Sequence, residues 1–521
     1  MNRLINLLLA GMLFPITTST LAQTYEVFDQ NLKLKSRIEY DQISILGDAV
    51  RISSTNNEIK LLSKEYKPFY NLKAESLHTY AEPWLIVNGP KGKGAYHEYG
   101  EAIFEMDYEE IQTSYTKVLA RKESRYWLYD RLTRDTKLLG EFDKAFFAPN
   151  GQIIAKIEDS YLLPLSPTPE KRFQDIRSAG NDFLLVLEPS GFGLVNRDGE
   201  MILDTIIEQL QHIEDEYFYA FDGNQYMLIR AKEEKADIRY VSYHRISLEG
   251  DMILEYIHGK LRRVMKNDGI LLDQTGMERV VSVNEKHYNI FMRDKKIGLL
   301  GPKGWEVNPV ADVEKILPGK EQLFGALKSG KYGFIDKAGS WVIKNNFDEV
   351  RKFNEGQAAV RIGSSWGFVS SQGVLIDPQY EGVSDFKNGL SIVTKNGKQQ
   401  IIDKQNQPLL AAAYGRITFG PDGFFYTEEN GKYGLVSPEG KEILLPIYDE
   451  LRREDSNRIL VRLDSKYGLI DEQGNYLLPL YYKNILFDSG SKQILAEDNY
   501  QFRRLEAGEK STSKKKKPAT P

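Results

Sequence analysis

Short apolar runs alternate with turn residues along most of this chain. A representative stretch contains four such runs separated by turns that carry Asn, Ser or Gly, namely residues 350–353, 357–362, 366–370 and 374–376. Runs of about five residues bounded by turn residues are typical of β-strands, whereas amphipathic helices need longer runs with a period near 3.6. We therefore predict an all-β fold of four-stranded antiparallel meanders.

The same pattern returns with a nearly constant period in the C-terminal half. Each copy carries an apolar, usually aromatic, residue followed by glycine, at Gly298, Gly333, Gly367, Gly434 and Gly468. If Gln400 is counted in the position of a missing glycine, neighbouring copies lie 33 to 35 residues apart. This regularity indicates tandem copies of one unit that buries its apolar face against its neighbours.

Turn residues occupy fixed places in these copies. Three residues after the glycine position stands Asp336, Ser370, Asp403, Ser437 or Asp471. Three residues further on stands Gly339, Gly373, Asn406, Gly440 or Gly474. Asp and Ser open turns by bonding nearby backbone, and Gly or Asn tolerates the positive φ at which such turns close. A tight turn is therefore predicted between the third and fourth strands of each unit.

The repeated glycine predicts a close contact. Glycine weakens a strand unless another group packs closely above it, so we expect backbone or ring contacts between neighbouring units at each pair. The aromatic partners, Tyr332, Trp366, Tyr433 and Tyr467, are interpreted as core side chains, because a stripe with a structural period is usually core. An aromatic ladder that binds sugars or choline is the alternative.

These residues resemble the WG repeat family, bacterial β-rich repeats named for a Trp-Gly or Tyr-Gly pair. The segments 331–339 and 432–440 match its Lys-Trp/Tyr-Gly-Phe/Leu-Ile/Val-Asp-x-x-Gly setting, except that Ser437 replaces the Asp, and residues 446–449 supply the following Pro-x-Tyr-Asp. The resemblance covers residues 290–490 and weakens before them. It implies a binding or scaffolding module and supplies no catalytic residues.

Degenerate copies extend the series toward the N-terminus. Gly94 and Gly193 have the expected turn and strand residues, and Trp127 and Tyr161 lie between them at similar steps. Residues 58–72 do not align well, and residues 244–250 and 270–276 are interpreted as eroded copies, with His244 in the position of the repeated glycine. The long step from Gly193 to His244 then predicts an insertion at residues 232–235, a charged and exposed loop.

This series gives about fourteen units. We predict degenerate repeats over residues 23–262 and regular repeats over residues 263–507. The units form propeller-like blades, arranged in two seven-bladed rings or in an open β-superhelix.

Both ends of the chain differ from the repeats. Residues 1–22 have Arg3, an apolar core and a small-residue site ending at Ala22, which is typical of a signal peptide, with an uncleaved anchor as the alternative. No later segment is apolar enough to span a membrane. We expect export to the periplasm or beyond, and cleavage near Ala22. Residues 508–521 are rich in Lys and lack large apolar side chains, so a disordered tail is predicted.

Composition excludes several kinds of chemistry. The chain has no cysteine, which rules out disulfides, thiolate metal sites and cysteine catalysis. Its formal net charge is −5, and the body is more acidic because the basic residues concentrate in the tail, so we expect no nucleic-acid partner.

No residue constellation indicates a catalytic, cofactor or metal site. The histidines never occur at metal-ligand spacings: His78, His97, His212, His244, His258 and His287. Asp273, Asp336, Asp403 and Asp471 are explained by turns. Residues 89–94 are rich in glycine but lack the following helix that a phosphate loop requires.

These observations favour an exported, non-catalytic scaffold of the cell envelope that binds another protein, with a glycan as the second choice. A hydrolase of envelope polymers, with its site in a propeller channel, is the alternative. We expect the partner to dock on the first half, which holds the 232–235 loop and the aromatic residues Tyr217, Phe218, Tyr219 and Phe221. Neutral decay of the repeats is the other explanation of that irregularity.

Overall fold

The computed structural model describes residues 22–498 except 268 and 421–422. The predicted signal peptide, Ala22 excepted, and the Lys-rich tail lie outside the described residues. The described chain is all-β and forms fourteen small antiparallel sheets arranged as a β-propeller. The predicted fold class and number of units are therefore confirmed.

The strands follow one another with short connections. The first eighteen are β1 (Gln23–Phe28), β2 (Leu34–Tyr40), β3 (Ile43–Leu46), β4 (Val50–Ser54), β5 (Ile59–Leu62), β6 (Pro68–Leu72), β7 (Ser76–Ala81), β8 (Trp84–Gly89), β9 (Gly92–His97), β10 (Ala102–Tyr108), β11 (Glu110–Thr113), β12 (Lys117–Lys122), β13 (Arg125–Asp130), β14 (Asp135–Glu141), β15 (Lys144–Phe147), β16 (Ile153–Ile157), β17 (Ser160–Leu162) and β18 (Asp175–Ala179).

The next eighteen are β19 (Phe183–Glu188), β20 (Gly191–Val195), β21 (Met201–Ile207), β22 (Gln209–Glu214), β23 (Tyr217–Phe221), β24 (Tyr226–Ala231), β25 (Ala236–Ser242), β26 (Arg245–Glu249), β27 (Met252–Ile257), β28 (Lys260–Lys266), β29 (Gly269–Asp273), β30 (Met277–Asn284), β31 (His287–Met292), β32 (Ile297–Gly301), β33 (Gly304–Val310), β34 (Lys315–Ile316), β35 (Phe324–Lys328) and β36 (Lys331–Ile335).

The last eighteen are β37 (Trp341–Phe347), β38 (Glu349–Val350), β39 (Gln357–Ile362), β40 (Ser365–Ser370), β41 (Gly373–Tyr380), β42 (Gly382–Val383), β43 (Leu390–Lys395), β44 (Lys398–Asp403), β45 (Arg416–Phe419), β46 (Phe425–Glu429), β47 (Lys432–Val436), β48 (Glu442–Tyr448), β49 (Glu450–Arg453), β50 (Ile459–Leu463), β51 (Lys466–Ile470), β52 (Tyr476–Tyr482), β53 (Asn484–Asp488) and β54 (Gln493–Glu497).

Each sheet is one blade of consecutive strands, with one exception. The sheet of β2, β1, β54 and β53 joins the two ends of the described chain. The predicted meander at residues 350–376 is the blade of β38 to β41, whose first strand is shorter than expected and whose fourth is longer.

The repeated glycine lies beneath a bulge of the fourth strand in the same blade. Tyr433 pairs with Tyr448 and Leu435 pairs with Leu444, so three residues of β48 lie opposite Gly434 alone. A Cβ on this glycine would lie 2.7 Å from the Leu444 carbonyl oxygen and 2.8 Å from the Pro446 nitrogen. Only a residue without a side chain fits beneath the bulge.

The same arrangement recurs in both regular and degenerate copies. Three residues of the fourth strand oppose one glycine at Gly94, Gly193, Gly333 and Gly367. The prediction of a close contact is thus confirmed, but its placement between neighbouring units is wrong. The backbone contact forms between the third and fourth strands of one blade.

Two blades without the glycine lack a fourth strand. The sheets of β15 to β17 and of β42 to β44 have three strands each. In the second of these, Gln400 takes the glycine position and its side-chain amide donates to the Leu410 carbonyl, 3.0 Å away. A side chain here occupies the space that the bulge would need.

Other blades without the glycine keep four strands by a smaller irregularity. Leu228 pairs with Tyr240 and Ile229 pairs with Ile238, so the fourth strand, β25, gains a single extra residue. The true copies in this region are the blades of β22 to β25 and of β26 to β29. The segments 244–250 and 270–276 contain the first strand and most of the fourth strand of this second blade, so they are not two separate copies. The predicted insertion is wrong, because residues 232–235 form the ordinary hairpin turn between β24 and β25.

The aromatic residues of the repeated pairs differ in burial. Trp366 is buried, but Tyr433 remains 38% exposed, so the core interpretation holds only for some copies. The consistently buried aromatic side chain ends the fourth strand instead: Phe347, Tyr380, Tyr448 and Tyr482. It pairs across the sheet with the aromatic residue that precedes the glycine, as Tyr448 does with Tyr433.

The predicted turns are confirmed. The amide of Ser340 donates to the Asp336 carboxylate at 2.9 Å, and Gly339 has a φ of +86°. Asn475 and Asp471 repeat this bond at 2.8 Å. The acidic residues of these turns therefore have a structural role.

The chain divides into two compact units. The described part of the first comprises residues 22–111, 464–469 and 476–498, and the second comprises residues 112–463 and 470–475. In the second unit, apolar clusters join each blade to the next in sequence, as Phe334 and Phe353 do at 4.8 Å between ring centroids. The separate division at residue 262, based on repeat regularity, stays a prediction.

In the first unit, strands from both ends of the chain share one sheet. β1 pairs with β54, with Glu26 opposite Ala496 and Val27 opposite Leu495. Behind this sheet the guanidinium of Arg51 forms a buried ion pair with Asp488, and the Tyr66 hydroxyl donates to the same carboxylate at 2.7 Å. This network links two distant segments of the chain.

We predict that Gly434→Val destabilises the protein by about 1–3 kcal/mol or more, because the new side chain would collide with the bulge. Gly269→Val is the matched control, since its nearest neighbour is a Lys266 oxygen 3.5 Å from the added Cβ. Glu439→Ala tests a residue in the adjoining turn. Thermal unfolding that gave equal melting temperatures for the three variants would contradict the close-packing account.

We also predict that Asp488→Asn costs about 3–5 kcal/mol, because Arg51 would keep a buried charge without its counterion. Glu58→Gln, which breaks the half-exposed pair with Lys60, should cost at most about 1 kcal/mol. Urea unfolding followed by the fluorescence of the five tryptophans, of which Trp84 is fully buried, measures both variants. Equal losses of unfolding free energy in the two variants would show that burial does not increase the contribution of the Arg51–Asp488 pair.

The contribution of Asp488 to the stability of the folded protein should depend on pH. Burial raises the pKa of Asp488, but hydrogen bonds from Arg51, Tyr66 and Ser491 outweigh burial, so the net pKa is lowered. A carboxyl with a lowered folded-state pKa stabilises above its unfolded pKa, about 3.9, and this stability is lost as the pH falls through the folded pKa. The gap between wild type and Asp488→Asn should therefore narrow below about pH 4.

Candidate binding sites

The blade topology creates clefts of two kinds. In a four-stranded meander, the first and third turns lie at one end of the strands. The second turn and the connection to the next blade lie at the other end. Clefts open between neighbouring blades at both ends, and their residues come from the turns, which vary more than the strands.

One cleft in the first unit combines exposed aromatic rings with polar groups. We call it the aromatic cleft; it encloses about 360 Å³ and is lined by Asp48, Ala49, Val50, Arg51, Leu61, Leu62, Ser63, Lys64, Phe69, Glu98 and Tyr99. Its walls are two turns of the blade of β3 to β6 and the last turn of the blade of β7 to β10.

The Tyr99 ring is exposed yet supported from below. It is 70% exposed and stacks on the His97 ring, with centroids 5.0 Å apart and planes inclined by 26°. His97 in turn meets the fully buried Trp84 edge to face at 5.6 Å. The backbone N–H of Tyr99 donates to His97 Nδ1 at 3.3 Å. The tyrosine is therefore held in place before any partner binds.

A second aromatic pair extends this surface. Phe69 is 51% exposed and lies on the edge strand β6 beside Tyr70. The Tyr70 ring covers Gly100, where a Cβ would lie 2.5 Å from the ring, and the φ of +91° also favours glycine. Exposed rings held in this way are the type of side chain that anchors protein interfaces.

Hydrogen bonds hold the polar groups of the aromatic cleft. Glu98 accepts a bond from the Tyr80 hydroxyl at 2.9 Å, and burial together with this carboxylate raises the pKa of Tyr80. Asp48 accepts a bond from the Ser489 hydroxyl. Arg51 at the back of the cleft is the buried partner of Asp488.

The aromatic residues that the sequence suggested for docking are not exposed. Tyr217 and Phe218 are buried, and Tyr219 and Phe221 are half-buried on the inner strand β23. They pack in the core between blades, so that part of the docking prediction is wrong. Residues 232–235 are exposed as predicted.

Sequence reasoning missed the aromatic cleft because its rings come from two degenerate copies. Phe69 belongs to a copy that did not align, and Tyr99 occupies a turn. An aromatic side chain in a turn, where polar residues are usual, was the available signal.

The other candidate residues have structural surroundings. His212 contacts the Phe218 ring, and its Nε2 lies 2.8 Å from the Asp215 carbonyl oxygen. Residues 89–94 form the hairpin between β8 and β9. Within the described part of the chain, no three His, Asp or Glu side chains gather in a way that could hold a metal ion. The same residues include no helix with the length and hydropathy of a membrane span.

Comparison with known families identifies the repeat. The model of the WG containing repeat matches residues 332–366, 366–398, 433–467 and 467–491. The chain thus carries WG repeats at four positions in its C-terminal part. No curated protein matches the chain significantly.

Two solved structures illustrate a distant similarity. The extracellular domain of a protein from B. thetaiotaomicron, described as a one component system, is 10% identical, with 91% of this chain and 81% of that chain covered and a TM-score of 0.19. PorZ, described as a surface component of the type-IX secretion system of Porphyromonas gingivalis, is 8% identical, with coverages of 87% and 85% and a TM-score of 0.23. Scores this low carry no argument about function.

Proposed function

We propose that this chain is an exported, non-catalytic repeat protein of the cell envelope that binds another protein through the aromatic cleft. The exposed but supported Tyr99 ring carries this proposal. A large ring that loses little conformational freedom on binding gives contact area at low entropic cost. Phe69 adds apolar surface beside it, and Lys64, Ser63 and Glu98 supply a polar rim.

A catalytic role for the aromatic cleft has less support than a binding role. It does contain two carboxylates, Asp48 and Glu98, which is the feature that would favour a hydrolase. One oxygen of each carboxylate accepts a hydrogen bond from a neighbouring hydroxyl, that of Ser489 for Asp48 and that of Tyr80 for Glu98. Carboxylates with these fixed roles are poor general acids or bases, so a binding role fits them better.

A glycan is the second candidate ligand. An exposed tyrosine ring beside carboxylate acceptors suits the apolar face and hydroxyl groups of a sugar. We favour a protein partner because Phe69 and Tyr99 are both more than half exposed, and exposed aromatic side chains of this kind anchor protein interfaces.

We predict that a photo-crosslinking phenylalanine analogue at position 69 captures one protein partner in intact cells. A second substitution, Tyr99→Ala, should remove that crosslink, because interface anchors of this type contribute about 2 kcal/mol or more. The matched control is Tyr243→Ala, since Tyr243 is 73% exposed and Tyr99 is 70% exposed.

Mass spectrometry of the captured product identifies the partner and the mature N-terminus, which we expect near Gln23. Protein-free envelope polysaccharide is then added as a competitor. If it abolishes the crosslink, the glycan is the favoured ligand. No protein crosslink from position 69, or a Tyr99→Ala variant that behaves like wild type, would contradict the proposal.

A further inference from the structure

A cleft of different character lies in the second compact unit. It encloses about 290 Å³ between the blade of β26 to β29 and the blade of β30 to β33. We call it the basic cleft; its lining residues are Ile257, Lys260, Leu261, Arg262, Thr275, Gly276 and Arg293. They come from the second turn of each blade and from the connection between the blades.

The charges of the basic cleft all have one sign. Three of its lining side chains are cationic and none is a carboxylate, in a chain whose formal net charge is −5. The equivalent cleft one blade further on holds both signs, with Lys295 and Lys328 beside Asp294, Asp312 and Glu314. The excess of positive charge is therefore particular to this cleft and not imposed by the repeat.

Two of the three cations lack an internal counterion. The Arg262 Nε lies 2.6 Å from an Asp273 oxygen, so its charge is largely balanced. Lys260 and Arg293 form no ion pair with any described residue. The cleft therefore keeps a net charge of about +2, carried by two exposed side chains that are available to an anion.

Backbone hydrogen bonds fix the walls of the basic cleft. The Arg293 amide donates to the Gly276 carbonyl at 2.8 Å, which ties the turn of one blade to the connection. The Gln274 amide donates to the Arg262 carbonyl at 3.1 Å, which ties the connection to β28. The side chains thus extend from a fixed frame, and less ordering is needed when a ligand binds.

We propose that the basic cleft binds a phosphate group. A phosphate monoester carries a charge of about −1.5 to −2 at pH 7, which matches Lys260 and Arg293 together better than the single charge of a carboxylate. The planar guanidinium of Arg293 can donate two parallel hydrogen bonds to phosphate oxygens, and Lys260 contributes a point charge. The Thr275 hydroxyl is a further donor at the rim.

Calorimetric titration of the full chain at constant ionic strength tests this proposal. The probes are inorganic phosphate, glycerol phosphate and acetate. Phosphate should bind at one site, and the double variant Lys260→Gln/Arg293→Gln should bind it roughly a hundredfold more weakly, or tenfold for each cation removed. Arg293→Lys, which keeps the charge but loses the paired donors, should bind with intermediate affinity.

A charge-matched control separates the cleft from general electrostatics. Lys303→Gln/Arg416→Gln removes the same charge from exposed positions outside the cleft and should leave binding unchanged. Tighter binding of glycerol phosphate than of inorganic phosphate would identify a phosphorylated molecule as the ligand, and the reverse would identify free phosphate.

Three results would overturn the proposal: no phosphate binding by the wild-type chain, equal weakening by both double variants, or acetate binding as tight as that of phosphate. Thermal unfolding of each variant confirms that the compared chains are folded. The experiment needs no protein partner, so its outcome is independent of the proposed role of the aromatic cleft.

Discussion

The blades that carry the repeated glycine, such as that of β45 to β48, depend on a contact between the bulge of the fourth strand and the glycine of the third. The bulge brings three residues opposite one, and the backbone of the fourth strand then lies where a Cβ of the third would be. Pro446 in the bulge cannot donate to the ladder, so the irregular pairing loses no hydrogen bond there. The same bulge places Tyr448 at the end of the strand, where its ring is buried.

This constraint separates the structural positions from the variable ones. Glycine, bulge and turn residues recur because they shape the blade, whereas the residues that line the clefts recur little. The aromatic cleft has exposed rings on a rigid support, and the basic cleft has cations on a frame fixed by backbone bonds. A repeat scaffold can thus carry unrelated surfaces at equivalent places, because the exposed residues of its turns vary more freely than its strands.

Local signals explain what the sequence could predict. The period, the strands and the turns at Asp336 and Asp471 depend on neighbours in sequence, and the fold class followed from them. The residues that pack against each glycine could not be predicted, because a bulge can be recognised only once the two strands are paired. The blades around Leu228 and Val264 were missed for a related reason, since their smaller irregularity needs no glycine.

The two proposed binding sites were harder to predict from the sequence. Alternation along β23 does not reveal that the neighbouring blades cover both of its faces, so Phe218 and its neighbours were taken for exposed residues. Tyr99 and Phe69 line one cleft only because two blades pack together. Lys260 and Arg293 likewise come from neighbouring blades, and the sequence does not show that they line one cleft.

The central claim is that the turns carry the function while the repeated positions hold the blades. Hydrogen–deuterium exchange of the full chain, with and without its crosslinked partner, tests this claim most directly. The account predicts slower exchange in residues 63–70 and 97–101, with unchanged exchange in the third and fourth strands of the regular blades. Protection confined to those strands, or spread evenly along the repeats, would contradict it.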